Sequence, residues 1–265
     1  MKRTLSSTIV LNVTAPADLV FAISVSGHYQ PSTETLTATL GGASLDVSEL
    51  ADAHLTRLHR VHSGVGELVV EYHATVDGSG LVDQASDTDL LRYLRPSRYA
   101  ESDSLAPTAW GEFGGIIEPA QLLAAVSSWV GTRLAYVSGS SLPTDGAIRT
   151  LLGRRGVCRD YSHLCVALLR ALGVPARLAA VYAPGLRPMD FHAVAEAWFD
   201  GTWQAVDATT LAPRSTLVRI ATGRDAADSA FLNVISGRAD LVRMDVGAVA
   251  DILPGDDLDQ LVSIS

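Results

Sequence analysis

The first ninety residues alternate apolar and polar side chains in short runs: Ser7 to Val13, Val20 to Val25, Thr35 to Leu40, Leu55 to Val61 and Leu68 to Val76. A period of two marks strands with one buried face. These runs are rich in Thr and Val, which suit a pleated, half-buried surface. Together they predict an antiparallel β domain over residues 1–92. Within it, Leu55 to Val76 reads as a hairpin turning at Ser63-Gly64-Val65-Gly66. The text then changes to Pro96, Pro107, Gly111, Gly114 and Gly115 among polar residues, which predicts a linker over residues 93–115.

Beyond the linker the period becomes helical, and residues 116–240 read as a second, α+β domain followed by a C-terminal extension over 241–265. Glu118-Pro119 opens a helix with Leu122, Val126, Trp129 and Val130 on one face, proline standing in the first turn where its missing N–H is no loss. Asp145 is the expected cap of a short helix through Ile148, Leu151 and Leu152 that stops at Gly153. The strongest helix runs from about Val157 to Leu172, with Cys158, Tyr161, Cys165, Leu168, Leu169 and Leu172 on one stripe and Gly173 as its stop. Arg177 to Tyr182 predicts a strand. His192 to Phe199 and Thr202 to Asp207 predict a hairpin about Asp200-Gly201.

Composition narrows the partners. A chain of 265 residues, 48% of them apolar, can fill a substantial core. A net charge of −9 argues against a nucleic-acid partner, whose footprint is basic and clustered. Lys2 is the single lysine, so the chain is a poor amine donor for its own cross-linking. Asn12, Thr14 and Asp18 break the apolar run that a leader peptide needs, and no run is long enough to span a bilayer, so a cytoplasmic protein with no membrane partner is expected. Cys158 and Cys165 stand seven apart on one predicted helix, about 10 Å along its axis. They cannot pair while that helix is intact, which fits a reducing compartment. His54, His59, His62 and His73 lie in or beside strands without a Cys or carboxylate set at ligand spacing. They read as surface or pairing positions, with no metal or cofactor implied.

Cys158 is the centre of the candidate chemistry. It falls in the first turn of its helix, after Gly153-Arg154-Arg155-Gly156, where free backbone amides, the helix dipole, Arg155 and Arg159 all favour a thiolate. A nucleophilic thiol needs a base and a third group to orient that base. If Asp200-Gly201 is a two-residue turn, Phe199 pairs with Thr202 and Val194 with Asp207. His192 then lies diagonal to Asp207 on one face, within reach of a bond, whereas a bulged turn would change that register. Glu196 shares the face of His192 and ranks behind Asp207 as its partner. Asp160 reads as structural, favouring the helix dipole or bonding Arg154 or Arg155. His163 points to another helix face, and Cys165 reads as a core thiol.

Four segments carry a family resemblance: Gly156-Val157-Cys158-Arg159-Asp160-Tyr161, Leu169-Arg170-Ala171-Leu172-Gly173-Val174-Pro175-Ala176-Arg177, His192-Ala193-Val194-Ala195-Glu196-Ala197-Trp198 and Gly201-Thr202-Trp203-Gln204-Ala205-Val206-Asp207-Ala208-Thr209. Across Glu118 to Thr210 the chain resembles the core of the bacterial transglutaminase-like superfamily, and the β-rich start resembles the domain that often precedes that core. The resemblance implies an α+β fold: a papain-like, transglutaminase-like core, helices packed on an antiparallel sheet, after an N-terminal antiparallel β domain. By position Cys158, His192 and Asp207 match the family's triad. Tyr136 falls where members often carry an aromatic lining the cleft. Val194 and Ala208 depart from the pattern, which has an aromatic residue two after the His and a Pro after the Asp. The implied reaction is acyl transfer on a peptide or protein substrate through a thioacyl enzyme, without a cofactor. Hydrolysis, as in a cysteine protease, is the leading expectation; amine transfer and a non-catalytic binding protein with a retained triad are the alternatives.

Overall fold

The computed structural model describes residues 1–265. Its strands are β1 (Lys2–Phe21), β2 (Thr33–Leu40), β3 (Ala43–Leu45), β4 (Val47–Ala51), β5 (Arg57–Ser63), β6 (Gly66–Asp77), β7 (Ala135–Tyr136), β8 (Arg155–Gly156), β9 (Ala176–Tyr182), β10 (His192–Phe199), β11 (Thr202–Val206), β12 (Val218–Gly223) and β13 (Leu232–Ala250). Its helices are α1 (Asp87–Arg92), α2 (Ser102–Phe113), α3 (Pro119–Arg133), α4 (Ala147–Gly153) and α5 (Cys158–Ala171). None is long and apolar enough to cross a membrane.

The N-terminal sheet is organised around β1. Its alternation buries Leu5, Ile9, Leu11 and Val13 against Leu68, Val70, Tyr72, Ala74 and Val76 of β6, so a period of two becomes one face of a core. The expected Leu55–Val76 hairpin does not form. β5 and β6 both pair antiparallel with the same edge of β1, Ala17 opposite Ser63 and Val13 opposite Gly66. Ser63 to Gly66 is therefore a break within one long partner of β1. Two alternating runs about a Gly-rich break have the same local pattern in either arrangement, and the 20-residue length of β1 decides between them.

The other edge of β1 is taken by β13, from Arg3 opposite Ala250 to Phe21 opposite Leu232. Residues 232–250 thus lie in the N-terminal sheet, and the expected division at 240 and 241 falls inside one strand. Residues 93–115, expected as a linker, carry α2, whose Leu105, Ala109 and Phe113 are buried in the second core.

That core lies under an antiparallel sheet of order β11-β10-β9-β12. Leu164, Cys165, Leu168 and Leu169 of α5 pack on Ala195, Ala197 and Val206, and Leu122, Val126 and Val130 of α3 complete the cluster. α4 begins at Ala147 with Gly146 at its N-cap position, and the expected cap, Asp145, instead accepts the Leu142 N–H at 3.0 Å. The first amide of α4 is met by the carboxylate of Glu101, which accepts the Ala147 N–H at 2.8 Å. A carboxylate 46 residues away serves as well as a local one and leaves no local pattern.

Charge is buried on this sheet. Glu196 of β10 accepts from Arg177 of β9 at 2.8 Å and from Arg219 of β12 at 2.6 and 2.7 Å, so three neighbouring strands share one ion cluster. Burial favours the neutral Glu196 carboxyl, but the two guanidiniums outweigh it and hold its pKa down at about 2. Arg177 also pairs with Asp83 at 2.6 Å, and Asp83 meets His28 and His54 of the N-terminal unit at 3.3 Å each. His54 and His59, expected at surface or pairing positions, are largely covered. Removing one member of a buried cluster strands the others. Glu196→Ala is expected to lower the free energy of unfolding by about 3–5 kcal/mol, measured from the urea midpoint; a midpoint equal to that of the wild type would show the cluster to be energetically idle.

Candidate active site

Cys158 is the first residue of α5 and is half-buried, while Cys165, two turns on, is fully buried with its thiol pKa pushed up by burial. Both thiols are free. The helix start is fixed by Asp160, whose carboxylate accepts the Val157 N–H at 2.8 Å and the Ser141 hydroxyl at 2.9 Å. These partners replace the expected Arg154 and Arg155, and the role is structural as the sequence suggested. The same carboxylate demands glycine at 156, where a Cβ would sit 2.6 Å from the Asp160 Cβ. One turn further, the Ser162 hydroxyl is shared between the carbonyls of Cys158 at 2.9 Å and Ala193 at 2.8 Å. This ties the thiol-bearing turn to the residue after His192.

The hairpin has the expected turn. Asp200 and Gly201 take φ of 50° and 77°, the two positive values of a type I′ connection. Phe199 then pairs with Thr202 and Ala195 with Val206, which carries Asp207 to the diagonal of His192. His192 Nε2 lies 2.8 Å from Asp207 Oδ2. The other carboxylate oxygen accepts the Thr209 N–H at 2.9 Å and its hydroxyl at 2.7 Å. Burial disfavours the Asp207 charge, but His192 and Thr209 more than offset it, so its pKa is lowered. For His192, burial pulls the pKa down, whereas Asp207 and then Cys158 pull it up, to about 10. Its Nδ1 is buried without a hydrogen-bond partner.

Tyr136 reaches the site through a parallel bridge in which it stands opposite Gly156, two residues before Cys158. Burial and then the Cys158 charge raise its phenol pKa to about 12. Glu196, the lesser candidate for orienting His192, is occupied by Arg177 and Arg219. His163 is stacked on Tyr99 at 5.1 Å and accepts the Ala226 N–H at Nε2, with burial depressing its pKa to about 3. Cys158, Cys165, His163 and His192 form no ligand set, and no group of three or more His, Cys, Asp or Glu side chains is arranged to hold a metal. Ser162 and Thr209 escaped the sequence reading. The Asp-x-Thr spacing at 207–209 was a usable signal, since such pairs bond locally; Ser162 left none.

Cys158 and His192 line one cavity of about 240 Å³, with Ala22, Leu178, Ile220 and Phe231 among its walls. A thiol heading a helix, beside a His–Asp pair on an antiparallel sheet, defines the papain-like class of α+β fold. The family model for the transglutaminase-like superfamily matches residues 112–208. The crystal structure of a "putative cysteine protease" from Cytophaga hutchinsonii is 33% identical, covers 98% of this chain and 96% of its own, and superposes with a TM-score of 0.88. An uncharacterized protein of Mycobacterium leprae is 26% identical over 154 residues, which is 55% of each chain. One of Mycobacterium tuberculosis is 39% identical over 70 residues, 26% of this chain and 21% of the relative. The match thus spans about half or less of these curated relatives. The chain belongs to the transglutaminase-like superfamily.

Burial pulls His192 down, and Asp207 supplies the largest upward pull against it, so removing that carboxylate lowers the ring's proton affinity. NMR titration is expected to place His192 near pH 10 in the wild type and clearly lower in Asp207→Asn. Equal titration in both proteins would separate His192 from Asp207 electrostatically.

Proposed function

We propose that this protein is a thiol-dependent acyl-transfer enzyme that hydrolyses peptide or amide bonds. The observation that carries the reading is the 2.8 Å contact between His192 and Asp207 within the site that also holds Cys158. Cys158 is the nucleophile. His192 accepts the thiol proton at Nδ1, and Asp207 holds the ring by Nε2 and stabilises the imidazolium. The raised proton affinity of His192, set against burial by Asp207 and Cys158, favours the imidazolium that this transfer creates.

The thiolate attacks the amide carbonyl and forms a C–S bond, placing negative charge on the carbonyl oxygen. The Cys158 N–H adjoins that oxygen by construction, and the Tyr136 phenol, protonated at neutral pH, is a second donor. Collapse of this adduct breaks the C–N bond, and His192 gives its proton to the leaving amine. Water activated by His192 then cleaves the thioester, releasing the acid and regenerating the thiol. An amine in place of water would make the protein a transglutaminase. The first half-reaction is common to both, and a single lysine makes the chain itself a poor acceptor.

The test is a peptide library assayed both for hydrolysis and for incorporation of a small primary amine. Hydrolysis is expected to predominate and to vanish in Cys158→Ala. Dominant amine incorporation would make the enzyme a transferase, and activity surviving in Cys158→Ala would remove the thiol from the reaction. Iodoacetamide at pH 6 is expected to label Cys158 much faster than Cys165, checked by peptide mass mapping. Equal slow labelling would leave a non-catalytic protein with a retained triad.

A further inference from the structure

The cavity beside Cys158 extends along the sheet on the side away from Asp207. Leu178 and Ala180 of β9 and Ile220 of β12 line it, while Asp207 follows β11, across β10. The opposite wall is the segment joining β12 to β13, through Ala226, Ser229, Ala230 and Phe231. Ala22, just past β1, adds to it and donates its N–H to the Phe231 carbonyl at 3.0 Å. The Phe231 ring stacks on Phe191 at 5.7 Å. The N-terminal sheet and its partner strand therefore supply part of the cleft.

Apart from Cys158 and His192, two lining residues carry polar side chains, Ser229 and Arg159. The Ser229 hydroxyl donates to the Asp225 carbonyl of its own segment at 3.4 Å. Arg159 donates through one terminal nitrogen to the Ser141 hydroxyl and the Leu142 carbonyl at 2.6 Å each, while its Nε is buried without a hydrogen-bond partner. The rest of the lining is apolar apart from Cys158 and His192, so a charged or amide side chain entering here would lose more water contacts than it regains, whereas an apolar one would gain by leaving water. The wall is also fixed. His163 accepts the Ala226 N–H at 3.1 Å, and Asp225 accepts the N–H groups of Tyr99 and Ala227 at 2.9 Å.

We propose that this cavity receives a single apolar side chain of the acyl-donor peptide, aliphatic or aromatic, adjoining the carbonyl that Cys158 attacks, and that Ala230 and Phe231 set the size it accepts. The proposal rests on the acyl-transfer reading of Cys158.

Its test needs binding but not turnover. N-acetylated aldehydes of glycine, leucine, phenylalanine, glutamine, aspartate and lysine are used as probes. Each adds reversibly to the thiol: sulfur bonds to the aldehyde carbon and the thiol proton passes to the carbonyl oxygen. Affinity is read from the slowing of Cys158 alkylation. Leucine and phenylalanine aldehydes are expected to bind roughly tenfold or more tighter than the glycine and glutamine ones, with aspartate and lysine weakest. Ala230→Phe closes the space and brings leucine and phenylalanine down to the level of glycine. Phe231→Ala widens it and moves the preference from leucine toward phenylalanine. Ala22→Leu is a second filling variant, and unfolding midpoints establish that each variant is folded. Equal affinity across all side chains, a preference for glutamine, aspartate or lysine, or filling variants that keep the wild-type order would overturn the proposal. Tight binding of apolar aldehydes by a protein that hydrolyses no peptide would uphold the pocket and refute hydrolysis. Hydrolysis without side-chain preference would do the reverse.

Discussion

Three strands of the core sheet are held to one another by a single carboxylate. Glu196 on β10 is shared by Arg177 on β9 and Arg219 on β12, so a slip of any one strand would leave charge buried without a partner. This is a constraint on register more than a source of net stability, since removing three charged groups from water offsets much of their mutual attraction. The constraint spreads. His192 lies four residues before Glu196 on the same strand, and Arg177 reaches through Asp83 to His28 and His54, joining the α+β core to the N-terminal unit. The Trp203 ring covers Arg177 at 3.8 Å, which keeps a guanidinium inside an otherwise apolar layer.

With the sheet fixed, the site follows from two short-range devices. The Asp200-Gly201 turn sets the offset of β10 and β11 and so brings Asp207 to His192. The Asp160 carboxylate seals the start of α5, and Ser162 fastens that start to Ala193. Each device acts on the backbone next to a functional side chain. The His–Asp pair and the thiol are thus set by neighbours that take no part in chemistry, as a site held to sub-ångström tolerance requires.

Local chemistry was the part legible in the sequence. The helix headed by Cys158 and the two-residue turn are written in contiguous residues, and the structure contains both, whereas the helices begin before the expected change near residue 116, with α1 and α2. What the sequence concealed depends on residues far apart. The cap of α4 comes from Glu101, the partner of β1 is β13, and the supposed hairpin at Ser63 to Gly66 is a break in one long strand. His54 read as a surface position because Asp83 and Arg177, which cover it, lie in other elements. For the site, Cys158, His192 and Asp207 were visible through spacing and register, whereas the cavity wall was not. Ala22, Ile220 and Phe231 carry no pattern that associates them until three elements have folded together.

The antiparallel match of β1 with β13 also bears on the order in which the protein comes into being. During synthesis the thiol helix and the His–Asp hairpin both precede residue 210, while β1 waits with one long edge bare until residues 232–250 have been made. Phe231 is held in the cleft by the strand that follows it and by Ala22 at the end of β1. A growing chain therefore possesses the Cys158 sulfur well before the wall beside it, and the cell meets a finished cleft only when the last strand has closed onto the first.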